Sequence, residues 1–596
     1  MKKYDLLIRG ARIFDGSGGP SVVGDLAVKD GRIAATGSLF AEDATEIVNG
    51  EGLWLTPGFI DFHTHYDAEV EVSPGLKESV RHGVTTVTMG SCSLSLCIGT
   101  PEDLADMFSR VEAIPREQVL PILSKKTWNT MKGYADHINS LPLGPNVATL
   151  LGHSAIRAHV MGLERSLTHG EVPTESELAR MEKLIEEAID CGYLGFSINT
   201  LTWDKMDGSR FRSRALPSTF AKWKEINRLV RVVRERDRIF QGVPNVSTKY
   251  NVLLFFKESV GLFRKKLKTT VISLMDPRSN RGLYRLVANL TRFFNSVLGA
   301  DIRLQAIPEI FDLYADGVDV VVFEEFGAGT AAIHLSDLKE RKDLLLNPGY
   351  RKWFRRQWTN RFLPRVFHRD FNQSRIVECP DPELVGLSFA DIAKKKDANV
   401  VDVFLDLCAQ FGNDLRWYTV IGNDRPGPLK YIVSHPDILI GFSDAGAHLR
   451  GMAHYNFPLR FLKLVRDASL EGKEFLSFEK AVWRVSGEIA DWFGLNAGHL
   501  REGAQADLVL LDPRGLDESV EAFHEEEMKE FGGLRRMVRR NDRAVCGVWI
   551  NGRKAVENGE VLPDVGQVKG FGRFLPYIEK ESLYQNAHTV AMKSGG

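Results

Sequence analysis

Two histidines stand one residue apart in TPGFIDFHTHYD, residues 56 to 67, at the end of an apolar run. On a strand, residues i and i+2 point to the same side, so His63 and His65 would aim their imidazoles at one spot. Imidazole, thiolate and carboxylate are the ligand set of zinc and related divalent ions. Similar groups close other apolar runs: Cys92 in MGSCSLSLC, His153 at the end of NVATLLGH, and Asp444 with His448 in ILIGFSDAGAH. A metal held by His63, His65 and Asp444, with Cys92 as a further ligand, would make water a nucleophile at neutral pH. Asp444 would take the proton as general base, and His153 would help to stabilise an oxyanion. Each residue also has an ordinary reading. A His-x-His can be a satisfied pair, and Cys92 or Cys97 a small buried hydrophobe. His153 can tie down a loop, and His435 in VSHPDIL reads as a structural cap.

Something must bring these distant groups together. Eight short apolar runs fit strands buried on both faces: WLTPGFIDFHTH, GVTTVTMG, NVATLLGH, GYLGFSIN, RIFQGVPN, TTVISLMD, DIRLQAIP and ILIGFSDAGAH. Helical patterns separate them, as in TESELARMEKLIEEAIDCG, with Thr174 as N-cap and a glycine at its end. Alternation of this kind predicts an α/β chain folded as a (β/α)8 TIM-like barrel, with chemistry at the carboxyl ends of the strands. Both chain ends are β-rich, and WINGRK carries the Asn-Gly of a tight hairpin. The expected domains are therefore a small composite β-sandwich from residues 1–55 plus 490–570 and a barrel over 56–489. Residues 320–430 are too long for a barrel connection and read as a helical insertion over the mouth, and 571–596 as a C-terminal tail.

The 596 residues exceed one ordinary core, and 43% hydrophobic with 26% charged content suits a soluble globular chain. A net charge of −1 creates no global field for nucleic acid or anionic lipid. No apolar run approaches the length of a membrane span, and MKKYDLLIRG enters strand-like alternation without an apolar leader. Six scattered cysteines make no disulfide framework, so the cytoplasm is the expected compartment. YRKWFRRQWTNRFLPRVFHR, residues 350–369, mixes aromatics with Arg and Lys. It reads as a solvated lid helix or as a pocket wall for an anionic substrate.

PGFIDFHTHYD resembles the strand-1 metal motif of the amidohydrolase superfamily. HGVTTVTMGSCS, GHSAIR and GFSDAGAH are similar to motifs of its N-acyl-D-amino-acid deacylase (D-aminoacylase) branch. The resemblance implies metal-assisted hydrolysis of a small-molecule amide, an N-acyl amino acid of D configuration. One departure stands out. Members of that branch carry a His at the end of strand 5 and another at strand 6, which complete a second metal site with the Cys. Here those stretches read FQGVPN and ISLMD, and strand 4 offers no Lys. The expectation is one tightly held zinc per chain. Hydrolysis of a cyclic amide, carbamate or lactone on the same barrel, and a non-catalytic scaffold, remain alternatives. Large barrels often associate, so a homo-oligomer is compatible with this reading.

Overall fold

The computed structural model describes residues 2–245, 248, 251–360 and 365–579. All eight expected strands are present: β1 (Phe59–Asp61), β2 (Val84–Met89), β3 (Asn146–Thr149, continued by Leu151–Gly152), β4 (Gly195–Asn199), β5 (Ile239–Val243), β6 (Lys268–Val271), β7 (Asp301–Ala306) and β8 (Ile438–Ile440). They pair in parallel in chain order, as one ladder of three strands and one of six. Backbone bonds bridge the ladders: Leu150 N to Met89 O and Leu194 N to Thr149 O. Phe62 N donates to Gly441 O, which ties the first strand to the last. This is an α/β fold consistent with a TIM barrel.

Helices cover the strands. Helix α1 (Glu175–Asp190) begins at a Thr174 capping box with Glu177, and it buries Leu178, Met181, Ile185 and Ile189 in one stripe. Helices α2 (Asn251–Ser259) and α3 (Leu283–Val297) follow β5 and β6.

The two chain ends meet in one sheet of nine strands, where Trp54–Pro57 pairs with Leu508–Leu511. Alternation divides its faces. Leu508 and Leu510 join Leu6, Ile8 and Trp549 in a small core, while Val509 and Leu511 face the main core. Hydrogen bonding runs as one continuous sheet, not as the two sheets a sandwich was expected to show.

Two other expectations need correction. The insertion is not purely helical: Phe311–Asp316, Arg375–Glu378 and Arg416–Gly422 form an antiparallel sheet beneath its helices. Helix α4 (Pro348–Thr359) turns Tyr350, Phe354 and Trp358 into that module's own aromatic core. Two of its three arginines are paired, Arg351 with Asp406 and Arg355 with Asp402, and Arg369 beyond it pairs with Glu325. The basic-aromatic stretch therefore builds the insertion. The expected tail also starts too early. Phe571, Leu575 and Tyr577 are buried, and Leu575 N bonds Val147 O. Residues 580–596 lie outside the described residues.

Candidate metal centre

His63 and His65 leave the end of β1 and converge with Cys92, which follows β2. Cys92 Sγ lies 3.3 Å from His63 Nε2. Asp444, beyond β8, places Oδ1 3.3 Å from His65 Nε2 and 3.7 Å from His63 Nε2. His63, His65 and Cys92 are buried and bring their ligand atoms within 4.8 Å of one another, and Asp444 reaches both imidazoles from a third strand end. Cys92 and Asp444 hold left-handed backbone, φ 54° and 60°, a region sparsely populated by L-residues. Asp61 locks the frame: its carboxylate accepts from Ser443 Oγ and, at 3.3 Å, from Ser443 N.

The imidazoles are oriented from behind. His63 Nδ1 lies 2.6 Å from Gln305 Oε1 on β7. Because that oxygen only accepts, Nδ1 carries the proton and the Nε2 lone pair faces the cluster. His65 Nδ1 lies 3.0 Å from Glu112 Oε1, and Glu112 O also accepts from His448 N at 2.7 Å. Sequence reasoning missed both partners. Gln305 left a faint signal, an uncharged polar residue near the end of a strand-like run. Glu112 sits in no motif.

Electrostatics suit a cation. Burial and the charge of His65 lower His63 to about 4, so it is neutral and free to ligate. Burial would raise Asp444, but the hydrogen bond and charge of His65 outweigh it and hold the carboxylate well below its usual range. Burial opposes a charge on His65 too, yet Glu112 and Asp444 raise it well above its ordinary value. Burial pushes the Cys92 thiol up to about 12, so a thiolate there calls for a cation at the site. Two imidazoles, a thiol and a carboxylate within this space form a chemically fitting donor set for zinc.

Other sequence candidates lie elsewhere. His153 is buried with both ring nitrogens engaged, 3.0 Å from Ser218 Oγ and 3.0 Å from Glu225 Oε1. Arg157 shares that carboxylate, so His153 belongs to a buried polar network and is not brought into the cluster. At strand 5, Gln241 occupies the mouth: its Oε1 accepts from Cys92 N at 3.0 Å and its Nε2 donates to Ser91 Oγ. Asp276, past β6, is claimed by Arg281 and Arg425.

A cleft of about 550 Å³ is lined by His448, four residues after Asp444, by Trp203, Asp204 and Lys205 beyond β4, and by Asp319 and Glu324 of the insertion. Burial pushes Asp204 up to about 7 against the lowering effect of its Asn199 hydrogen bond, and the charges of Glu112, His65 and Asp444 also act on it. The cleft's arginines are paired with acids, as Arg110 is with Glu324. Lys205 makes no ion pair among the described residues.

No protein-family model matches the chain. An uncharacterized protein of Mycobacterium tuberculosis is 48% identical over 583 residues, covering 96% of this chain and 95% of its own. N-acyl-D-aspartate deacylase of Alcaligenes xylosoxydans xylosoxydans is 25% identical over 587 residues, with 97% of each chain covered. The crystal structure of N-acyl-D-glutamate deacylase from Bordetella bronchiseptica, complexed with zinc and a phosphonate mimic of the tetrahedral intermediate, superposes with a TM-score of 0.62. It is 23% identical and covers 96% of this chain and 100% of its own. Over nearly its full length the chain is thus similar to N-acyl-D-amino-acid deacylases, and it shares their amidohydrolase fold. Amidohydrolases of this kind act on carbon–nitrogen bonds other than peptide bonds, and the superfamily's use of metal is consistent with the donor set at the mouth. Among the described residues no helix is long and apolar enough to cross a membrane.

Proposed function

We propose that this amidohydrolase cleaves the amide bond of an N-acyl amino acid, with D configuration favoured by its relatives. The observation that carries the reading is the convergence of His63, His65, Cys92 and Asp444. These four would hold a single zinc ion, and the ladders would close as a (β/α)8 barrel over residues 56–489, with the terminal segments 1–55 and 490–570 as its companion domain. The ion would supply Lewis acidity, making water nucleophilic and polarising the amide carbonyl.

The chain's residues do the rest. Asp444, ionised at neutral pH, accepts the proton of the attacking water and returns it to the leaving amine. Gln305 and Glu112 keep the imidazoles turned inward. Lys205, half-buried and without an ion pair among the described residues, receives the substrate carboxylate in the cleft. This lysine takes the anion-binding role that sequence reasoning gave to residues 350–369.

The test pairs elemental analysis with a substrate panel. About one zinc per chain, lost in His63→Ala/His65→Ala, together with turnover of N-acyl-D-amino acids, supports the reading. Turnover confined to cyclic imides or lactones would replace the substrate, and absence of both metal and turnover would point to a scaffold.

A further inference from the structure

Helix α3 buries Tyr284, Ala288 and Thr291 against the strands. Its far side is apolar as well. Leu283, Leu286, Phe293 and Val297 are 39%, 66%, 49% and 57% exposed, with Leu290 half-buried among them. At 3.6 residues per turn the two stripes lie roughly 150° apart. A helix apolar on opposite sides has a partner on each.

The patch extends beyond the helix. Phe256 of α2 packs edge-on against Phe294, ring centroids 5.3 Å apart. The loop after α2 abuts the end of α3, where Gly261 sits against the Gly299 carbonyl. That loop carries Leu262, 53% exposed, and Phe263, 100% exposed. Clustered apolar exposure of this kind marks an interaction surface.

Charge identifies the partner. Lys257, Arg264, Lys265, Lys266, Arg285 and Arg292 are exposed around the patch. Both acids within residues 251–300, Glu258 and Asp276, are buried. Acids do approach from neighbouring segments: Asp237 lies 3.8 Å from Lys265, Asp301 3.3 Å from Lys266 and Asp437 3.8 Å from Arg292. Arg264 reaches Glu258. Lys257 and Arg285 make no ion pair among the described residues. The balance stays cationic, although the whole chain carries a net charge of −1.

We propose that this face docks on an anionic lipid surface. Phe263 and the Leu286–Phe293 stripe enter the boundary between headgroups and acyl chains, and the basic residues meet the lipid phosphates. A second copy of the chain fits less well, because a two-fold pairing of this face would set its basic residues against each other. The loop holding Phe263 precedes β6, at the end of the strands opposite His63 and Cys92, so docking leaves the cleft open.

The experiment is co-sedimentation of the full chain with vesicles of phosphatidylcholine alone or with about a third phosphatidylglycerol. Binding is expected only to the second. It should weaken about tenfold or more in Phe263→Ser/Leu286→Ser/Phe293→Ser and in Lys265→Gln/Lys266→Gln/Arg285→Gln, and also on raising salt. Hydrolysis in solution should be unchanged in both variants. Should the apolar variant melt early, the charge variant carries the test. Failure to bind anionic vesicles at low ionic strength would overturn the proposal, as would undiminished binding by the charge variant. A wild-type dimer that the apolar variant dissociates would assign the face to a second copy instead, and a tighter grip on duplex DNA than on the vesicles would assign it to nucleic acid.

Discussion

At the ends of β1 and β8, His63, His65 and Asp444 all turn toward one point. Within β5 and past β6 the chain offers Gln241 and then Ile272 and Ser273, none of them an imidazole, thiol or carboxylate. Gln241 still matters there, since both ends of its amide hold the turn that carries Cys92. One half of the mouth presents donors and the other braces them. Parallel strands permit this division because each strand end contributes its side chains independently. A position can therefore exchange ligation for support without disturbing the opposite half.

The largest break in this comparison should come from Asp444→Asn. The amide keeps the shape and loses the base, so kcat should fall about 10³-fold or more while zinc content stays close to wild type. Near-normal turnover would remove Asp444 as the base. Gln305→Leu comes next. It frees the His63 ring and its tautomer, and zinc affinity in a chelator competition should drop about 10- to 100-fold. An unchanged affinity would mean that Gln305 only fills space. Lys205→Met lies outside both halves and should raise KM for an N-acyl amino acid about tenfold with little change in kcat. An equal loss with an uncharged amide would deny it the carboxylate. The smallest change is sought in metal content, with Gln241→His combined with Ser273→His, which trades the brace on the Cys92 turn for two imidazoles. If the bracing half can be turned back into a ligating half, bound metal should rise from about one toward two ions per chain, measured by elemental analysis. A stoichiometry that stays at one would show that the β5–β6 side lacks the room or the geometry for a second ion.

Much of this arrangement was legible in the sequence because it follows from short-range rules. Seven of the eight strands lie within their runs and β6 starts one residue ahead of its own, and the i, i+2 rule brought His63 and His65 together. Asp444 was readable from its place at the end of the last run. What escaped depends on distant packing. Glu112 reaches His65 from a connection far along the chain, and nothing near it in sequence marks that contact. His153 has the same strand-end setting as the true members of the cluster, and only the position of Glu225, on the helix Trp223–Glu235 that follows β4, shows which way its ring turns. The insertion's strands were hidden because FDLYAD and RWYTVIG find their partners across some 100 residues of helix-rich chain. Tyr577 was lost because a short apolar stretch near a chain end looks the same whether it docks or frays.

The nine-stranded sheet sets a timetable for the newly made protein. Trp54–Pro57 emerges early, but its neighbour Leu508–Leu511 is about 450 residues further on, a delay of roughly 20 to 90 seconds at ordinary translation rates. Throughout that interval one strand edge beside Leu55 stays open on the ribosome. A late-made strand thus closes an early one, and nascent chains truncated before residue 508 are the species a chaperone would meet.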